Sequence, residues 1–368
     1  MIDFKFPLYK PSLNGNELKY VNECFEEGWI SSKGKFVDIF ESEFSKYFKV
    51  KHSISCSNGT TALHLALLSL GISVGDEVIV PSLTFVASAN SIKYCGANPV
   101  FIDSEKNSYQ LDLDLIESSI TKNTKAVLIV HLYSGSCDIE KLVEICKKNN
   151  IFLIEDCAES IGAKYNDKLL GTFGDIGCFS FYGNKTLTTG EGGMVVTNSD
   201  KLNEKLRLYK GQGLDIEAED YYSHTVIGYN YRMTNICAAI GLAQLENIDS
   251  TINRKIEIAQ NYYDQLKDLK EIKFQSISEH FFSTYWLVSI TCQNNEQRNN
   301  LIKFLETNGI ETRPFFIPMT KLEIYSEHTS NTPVADELSK CGLNLPSYPE
   351  LTNKDIEYIT SIIKNFFK

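Results

Sequence analysis

Residues 126–157 form a strand–helix–strand pattern: AVLIVHLY at Ala126–Tyr133, an amphipathic segment at Ile139–Asn149, and IFLIEDC at Ile151–Cys157. The two outer segments are apolar at consecutive positions, which is typical of strands that are buried on both faces of a sheet. A helix between two such strands predicts a parallel pair joined by a crossover. The chain is therefore expected to contain a parallel sheet with helices on its faces.

The same alternation continues on both sides of this stretch. Towards the N-terminus lie the predicted strands EVIVP (Glu77–Pro81) and PVFID (Pro99–Asp103), separated by predicted helices. These helices are expected at Thr60–Leu70, Phe85–Tyr94 and Asp114–Ile120. The pattern predicts an α/β fold with a large, mainly parallel sheet covered by helices. We further expect two domains, a large one over residues 1–249 and a smaller C-terminal α/β domain over residues 250–368.

Composition excludes several classes of partner. The 368 residues carry a net charge of −11, which disfavours nucleic acid and anionic membrane, since both require a basic surface. No run approaches the roughly 20 apolar residues of a spanning helix, and the N-terminal residues do not resemble a signal peptide. The ten cysteines are scattered without a CxxC pair, and the six histidines are dispersed. We therefore expect reduced thiols, no metal site and a cytoplasmic location.

Polar residues follow the predicted strands, at the edge where parallel sheets bind ligands. The turn Asn58–Thr61 (NGTT) opens a helix, so its free amides could cradle a phosphate, although a plain helix cap explains it equally well. Asp156 ends the strand IFLIED, where a buried carboxylate needs a positive partner. It is interpreted either as a helix cap or as the partner of the protonated pyridine nitrogen of pyridoxal 5'-phosphate.

Lys185 is the strongest candidate for a catalytic group. It lies between an apolar run, Cys178–Tyr182, and a turn that begins at Gly190. Because Asp156 lies upstream, Lys185 is interpreted as an amine nucleophile that forms a Schiff base. The alternative is that its charge is a solvated surface charge. The GNKT sequence is not a phosphate-binding P-loop, because Asn184 replaces the glycine that must precede the lysine.

Taken together, these segments resemble the sugar aminotransferases, a branch of the fold-type I pyridoxal-phosphate enzymes. The likeness covers nearly the whole chain in the right order, through segments at Gly28–Glu41 (GWISSKGKFVDIFE), Ser57–Leu67, Gly75–Asn90, Glu155–Tyr165, Phe179–Asn198 and Gly228–Glu246. The resemblance implies the fold-type I architecture, with a seven-stranded, mainly parallel sheet in the large domain. It also implies a homodimer whose active sites are shared between subunits.

The resemblance assigns a role to each matching residue. Lys185 would carry the cofactor and then move a proton between the cofactor and the substrate carbon. Arg232 would help to bind an anionic substrate. The other implied cofactor-binding residues are Asp156 at the pyridine nitrogen, Phe85 stacked on the ring, Glu159 near the ring substituents, Gly59, Thr60 and Ser180 at the phosphate, and Asn230 at the phosphate of the neighbouring subunit.

The activity implied is transfer of the amino group of L-glutamate to the C4 ketone of a nucleotide-linked 4-keto-6-deoxy sugar. GDP-4-keto-6-deoxy-mannose is the favoured acceptor, and surface polysaccharide (O-antigen) biosynthesis is the expected purpose. Another keto- or aldehyde-sugar is an alternative. A sugar dehydratase that uses pyridoxamine phosphate would have histidine in place of Lys185, and a non-catalytic regulator would be expected to lose Lys185 or Asp156.

The sequence departs from the family pattern at His131–Asp138, which reads HLYSGSCD. The family usually has HLYG followed by a turn that contains proline. Ser134 and Ser136 therefore alter a loop that is predicted to lie on the ligand side of the sheet.

Overall fold

The computed structural model describes residues 4–215, 218, 220, 222–328 and 330–368. Its strands in chain order are β1 (His52–Cys56), β2 (Glu77–Pro81), β3 (Asn98–Ile102), β4 (Thr124–Val130), β5 (Phe152–Asp156), β6 (Lys164–Tyr165), β7 (Lys168–Leu169), β8 (Ile176–Ser180), β9 (Gly193–Thr197), β10 (Ile272–Phe274), β11 (Phe281–Phe282), β12 (Val288–Cys292), β13 (Arg313–Pro314) and β14 (Gly342–Leu345). Its helices are α1 (Glu17–Glu26), α2 (Lys35–Phe48), α3 (Gly59–Leu70), α4 (Val86–Tyr94), α5 (Ile116–Ser119), α6 (Ile139–Asn149), α7 (Asp200–Lys210), α8 (Asn235–Glu246), α9 (Ile248–Leu266), α10 (Asn295–Thr307), α11 (Pro333–Cys341) and α12 (Asn353–Phe366).

Seven strands form the central sheet, in the order β1-β9-β8-β5-β4-β2-β3. Within this sheet β9 runs antiparallel to its neighbours β1 and β8, and the remaining pairs are parallel. Helix α4 connects the parallel strands β2 and β3, and α6 connects β4 and β5, whereas the short strands β6 and β7 lie between β5 and β8 in the chain. The predicted α/β class, with a mainly parallel seven-stranded sheet covered by helices, is confirmed.

Both faces of the sheet are buried, which explains why its strands are apolar at consecutive positions. Along β2, Val78 and Val80 belong to a core shared with α3 and α4. Ile79 between them belongs to a second core, shared with α2 and α6. Successive side chains of a strand point to opposite faces. One apolar run therefore supplies two cores.

The predicted strand Ala126–Tyr133 is too long at its C-terminal end. β4 ends at Val130, which pairs with Asp156 of β5. Beyond it, Tyr133 and Ser134 have positive φ angles of 52° and 60°. This left-handed conformation cannot continue a strand. The chain instead turns over the carboxyl edge of the sheet, where it brings Ser134 close to the functional site.

The predicted helix Asp114–Ile120 is wrong in its extent. A 3₁₀ turn at Leu113–Leu115 leads into the short helix α5, and Ile120 is already extended, with φ −74° and ψ 126°. The next residue is held by a local contact, because the Thr121 N–H donates to the Thr124 hydroxyl at 2.9 Å. This turn starts β4 and leaves no room for another helical turn.

The C-terminal part of the chain builds a second, antiparallel sheet in the order β10-β12-β14-β13. It shares a core with α9, α10 and α12. The domain boundary between residues 249 and 250 stays a prediction.

Among the described residues, no helix is both long enough and apolar enough to cross a membrane.

Candidate active site

One cavity of about 510 Å³ gathers almost all of the predicted site residues. It lies at the carboxyl edge of the central sheet, where β5 ends at Asp156 and β8 ends at Ser180. The residues predicted for the site that line it are Gly59, Thr60, Phe85, Asp156, Glu159, Ser180 and Lys185. Asn230 and Arg232 do not line it, and both are exposed to solvent within this chain.

The start of α3 offers unpaired donors at one end of the cavity. The Asn58 side chain caps this helix by accepting from the Thr61 N–H at 2.9 Å. Neither the Gly59 nor the Thr60 N–H has an acceptor in the described part of the chain. A Cβ at Gly59 would lie 2.6 Å from the Ser180 Cβ, so only glycine lets α3 approach the end of β8 this closely. Free amides at a helix start, beside a hydroxyl, fit a phosphate group.

Asp156 is a buried carboxylate at the base of the cavity. It accepts from the Ser88 hydroxyl at 2.8 Å and from the Ala158 N–H at 3.1 Å. Burial raises its pKa, and these two hydrogen bonds and the charge of Lys185 oppose the increase. No cation forms an ion pair with Asp156 among the described residues. A ligand that presents a positively charged N–H would supply the missing partner.

Lys185 and Glu159 meet within the same cavity. The Lys185 Nζ lies 3.8 Å from the Glu159 Oε1, and their side chains are only 14% and 4% exposed. Burial lowers the pKa of Lys185, although the charges of Glu159 and Asp156 act in the opposite direction. Behind the lysine, the Tyr9 hydroxyl donates to the Lys185 carbonyl at 2.6 Å. The amine is thus largely shielded from water, and burial shifts it towards the free-base form that a nucleophile needs.

Burial of Glu159 predicts a measurable pH dependence of stability. Burial raises the pKa of Glu159 from 4.5 to about 7, against the opposing charge of Lys185. Between these two values the folded protein holds a proton that the unfolded chain has released, so the free energy of unfolding falls as pH rises. Glu159→Gln removes the titrating group, and with it this decrease in the free energy of unfolding. In cofactor-free protein the variant should gain stability relative to wild type across this interval, by about 3 kcal/mol at most, with no further gain above it.

Chemical denaturation at a series of pH values measures this difference. Glu191→Gln is the matched control, because Glu191 lines the same cavity but has an exposed side chain. The same comparison in a Lys185→Ala background should give a larger difference, since the ammonium that lowers the Glu159 pKa is gone. A stability difference that does not change with pH would contradict the argument.

Among the lining residues that were not predicted from the sequence are Trp286, Arg313 and Phe316. Trp286 covers the lysine, with its ring centroid 3.9 Å from the Lys185 Nζ. Arg313 is exposed and has no ion-pair partner among the described residues, although its charge acts on Lys185. All three come from the C-terminal part of the chain. No local pattern there indicates a site, because only packing against the central sheet brings them to it.

His131, Glu155 and Cys157 form a buried cluster, and none of the three lines the cavity. The His131 Nε2 is 3.1 Å from a Glu155 oxygen. Both oxygens of Glu155 also accept main-chain N–H groups of residues 171, 173 and 174, each at 2.7 Å. Because these hydrogen bonds already occupy the carboxylate, the cluster is interpreted as structural.

The donor set of the cavity fits pyridoxal 5'-phosphate. Free amides and the Ser180 hydroxyl suit its phosphate, Asp156 suits its pyridine nitrogen, and Lys185 supplies the amine that its aldehyde requires. Phe85, whose side chain is 55% exposed, offers a ring at the cavity wall. These individual roles remain predictions.

Comparison with known proteins agrees with this chemistry. A model of the DegT/DnrJ/EryC1/StrS aminotransferase family matches residues 11–364. The chain is 52% identical over 361 residues to the GDP-perosamine synthase of Escherichia coli O157:H7, with 98% of each chain covered. It is 48% identical over 365 residues to the GDP-perosamine synthase of Vibrio cholerae, with 98% of this chain and 99% of that one covered.

Among solved structures, the fold is similar to that of a putative sugar aminotransferase from Streptococcus pneumoniae in its PLP form. The TM-score is 0.92 at 26% identity, with 98% of both chains covered. The chain belongs to the DegT/DnrJ/EryC1/StrS aminotransferase family. It is an aminotransferase that depends on pyridoxal 5'-phosphate.

Proposed function

We propose that this enzyme transfers the amino group of L-glutamate to the C4 ketone of GDP-4-keto-6-deoxy-mannose, which gives GDP-perosamine for surface polysaccharide (O-antigen) biosynthesis. The observation that carries the proposal is a cavity that holds Lys185, Glu159 and Asp156 together. The choice of acceptor rests on two relatives that are 52% and 48% identical along the whole chain and are named GDP-perosamine synthase.

When bound, the cofactor supplies an aldehyde that takes up the amino group and a ring that delocalises the electron pair of the reacting carbon. The residues of this chain bind it and move the protons. Gly59, Thr60 and Ser180 hold the phosphate, and Asp156 keeps the pyridine nitrogen protonated. Lys185 takes a proton at Nζ from the carbon of the amino donor, then returns it on the way to the product.

Arg313 is the residue we assign to the anionic amino donor. Its guanidinium has no ion-pair partner in the described part of the chain and lines the cavity that holds Lys185. A guanidinium can pair with a carboxylate through two parallel hydrogen bonds. We therefore assign it a carboxylate of L-glutamate.

The active unit is proposed to be a homodimer. Asn230 is exposed and does not line the cavity of its own chain. The partner subunit would bring its own copy of this residue to the phosphate end. Two aromatic side chains that line the cavity, Phe85 and Tyr182, are also exposed to solvent in this chain, at 55% and 51%.

Ten free cysteines suit a reducing compartment, and we place the reaction in the cytoplasm on that basis.

Incubation of the purified enzyme with L-glutamate and a panel of keto-sugars tests the acceptor. We expect stoichiometric 2-oxoglutarate and a 4-amino sugar from GDP-4-keto-6-deoxy-mannose, and much slower turnover of sugars with another nucleotide or another ketone position. Lys185→Ala serves as the inactive control. Turnover of a different acceptor, with none of the GDP-linked sugar, would overturn the choice of sugar and leave the amino transfer intact.

A further inference from the structure

Trp286 covers the amine of Lys185 with the face of its indole ring. The centroid of the ring lies 3.9 Å from the Lys185 Nζ, and the tryptophan is 3% exposed. An ammonium over an indole face is attracted by the electron-rich ring, and the attraction is strongest where water is excluded. A neutral amine in the same place gains far less. The ring therefore favours the protonated lysine over the neutral one.

Three hydrogen bonds hold this tryptophan in place. Its main-chain N–H donates to the Ser134 hydroxyl at 2.8 Å, and its carbonyl accepts from the Lys255 Nζ at 2.8 Å. Its indole N–H donates to the Asn184 carbonyl at 2.6 Å, next to Lys185 itself. Trp286 precedes β12, which begins at Val288, so no strand ladder holds its main chain. The side chains of Ser134 and Lys255, which are distant in sequence, hold the Trp286 main chain instead.

Ser134 links the tryptophan to the carboxylate on the other side of the lysine. Its hydroxyl accepts from the Trp286 N–H and donates to the Glu159 main-chain carbonyl. One side chain thus connects the two residues that contact the Lys185 amine. Ser134 achieves this at φ +60°, a left-handed conformation that favours glycine. The two hydrogen bonds of its hydroxyl explain why serine, and not glycine, occupies this strained position.

Lys255 supports the tryptophan from the opposite side. It is fully buried, and it donates to the Trp286 carbonyl and to the carbonyl and hydroxyl of Ser347, at 2.6 to 2.8 Å. These acceptors use all three donors of an ammonium group. No carboxylate pairs with Lys255 among the described residues. A buried lysine bound to oxygens of the main chain and a hydroxyl is a structural clamp on Trp286.

We propose that Trp286 is a catalytic residue whose indole face receives the Lys185 ammonium during proton transfer, and that Ser134 and Lys255 are positioning residues that hold it there. The inference rests on the proposed amino transfer. In that step a C–H bond of the amino donor breaks, its electron pair stays with the bound reactant, and the proton forms a new N–H bond at the Lys185 Nζ. The ring stabilises the ammonium until that proton is returned.

The test measures the protonation of Lys185 directly. Trace acetic anhydride labels only unprotonated amines, so labelling against pH, read by mass spectrometry of the Lys185 peptide, reports the fraction of neutral amine. The full-length protein is used both without cofactor and loaded with pyridoxamine phosphate, which leaves the lysine free. The charged groups that act on Lys185 are Glu159, Asp156 and Arg313, and they stay unchanged in every variant.

Expressed relative to the plateau that each protein reaches at high pH, which corrects for access to the amine, Trp286→Leu should raise the labelling of Lys185 about 10-fold at a fixed pH below its pKa. Trp286→Phe keeps a weaker ring face and should give a smaller increase. The control is Trp29→Leu, because the chain has two tryptophans and Trp29 is 52% exposed. Wild-type labelling in a folded Trp286→Leu variant would overturn the proposal. If that variant does not fold, wild-type labelling in Trp286→Phe and Ser134→Gly together would do so.

The positioning residues are tested by the same labelling. Ser134→Gly, which suits the left-handed backbone but lacks the hydroxyl, and Lys255→Met should both raise labelling by a smaller factor than Trp286→Leu. Ser136→Ala is the matched control, because the Ser136 hydroxyl lies in the same loop and, within the described part of the chain, makes no hydrogen bond to Trp286 or Glu159. Unchanged labelling in both positioning variants would remove Ser134 and Lys255 from the proposal. None of these results depends on which sugar the enzyme accepts.

Discussion

Replacement of Lys185 by alanine should reduce amino transfer by about 10⁴-fold or more, because one group provides both the covalent attachment and the proton transfer. The side chain is 14% exposed and lies between Glu159 and Trp286, and among the described residues no other lysine lines the cavity to take its place. The purified variant should also lose the visible absorption band of pyridoxal phosphate bound to a lysine. Stopped assays of 2-oxoglutarate formation and absorption spectra measure the two effects.

Lys185→Arg separates the chemistry of this residue from its charge. Arginine keeps a positive group beside Glu159, but its guanidinium stays protonated and is not a nucleophile. We expect the same loss of activity and of the absorption band, with stability close to that of wild type. A variant that lacks the lysine but keeps the band would show that another amine carries the cofactor.

Replacement of Asp156 by asparagine should lower kcat by about 10²- to 10³-fold, because it removes the buried charge that keeps the pyridine nitrogen protonated. The amide has nearly the same shape, and its oxygen can still accept from the Ala158 N–H while its NH2 group donates to the Ser88 hydroxyl, 2.8 Å from Asp156. The change therefore tests charge with little effect on packing. Steady-state kinetics at saturating cofactor give the loss in kcat.

Ser88→Ala provides a graded comparison for this prediction. It removes one hydrogen bond that opposes the raised pKa of Asp156, so the carboxylate form becomes less favourable. We expect a decrease in kcat in the same direction but smaller, and most evident at low pH. Full activity of Asp156→Asn would mean that the protonated ring nitrogen is not needed for the reaction.

Much of the central sheet could be predicted from periodicity alone. The strands are buried on both faces, so apolar runs such as EVIVP match β2 at both ends. The predicted end of a strand was wrong where the backbone dihedral angles leave the β region although the apolar pattern continues. The apolar run after Ala126 continues past Val130, but positive φ angles at Tyr133 and Ser134 end the strand. Hydrophobicity reports burial, and it does not report the dihedral angles that stop a strand.

The parallel sheet and the polar residues that follow its strands could be predicted from the amino-acid pattern, because parallel strands bring their carboxyl ends to one edge. Asp156, Ser180 and Lys185 meet there for that reason. The residues that cover them could not be predicted in this way, because they depend on tertiary packing. Trp286 and Arg313 are separated from Lys185 by about a hundred residues of chain and approach it through packing of the C-terminal sheet. No sequence periodicity encodes such a contact, since it depends on how two separately built layers fit together.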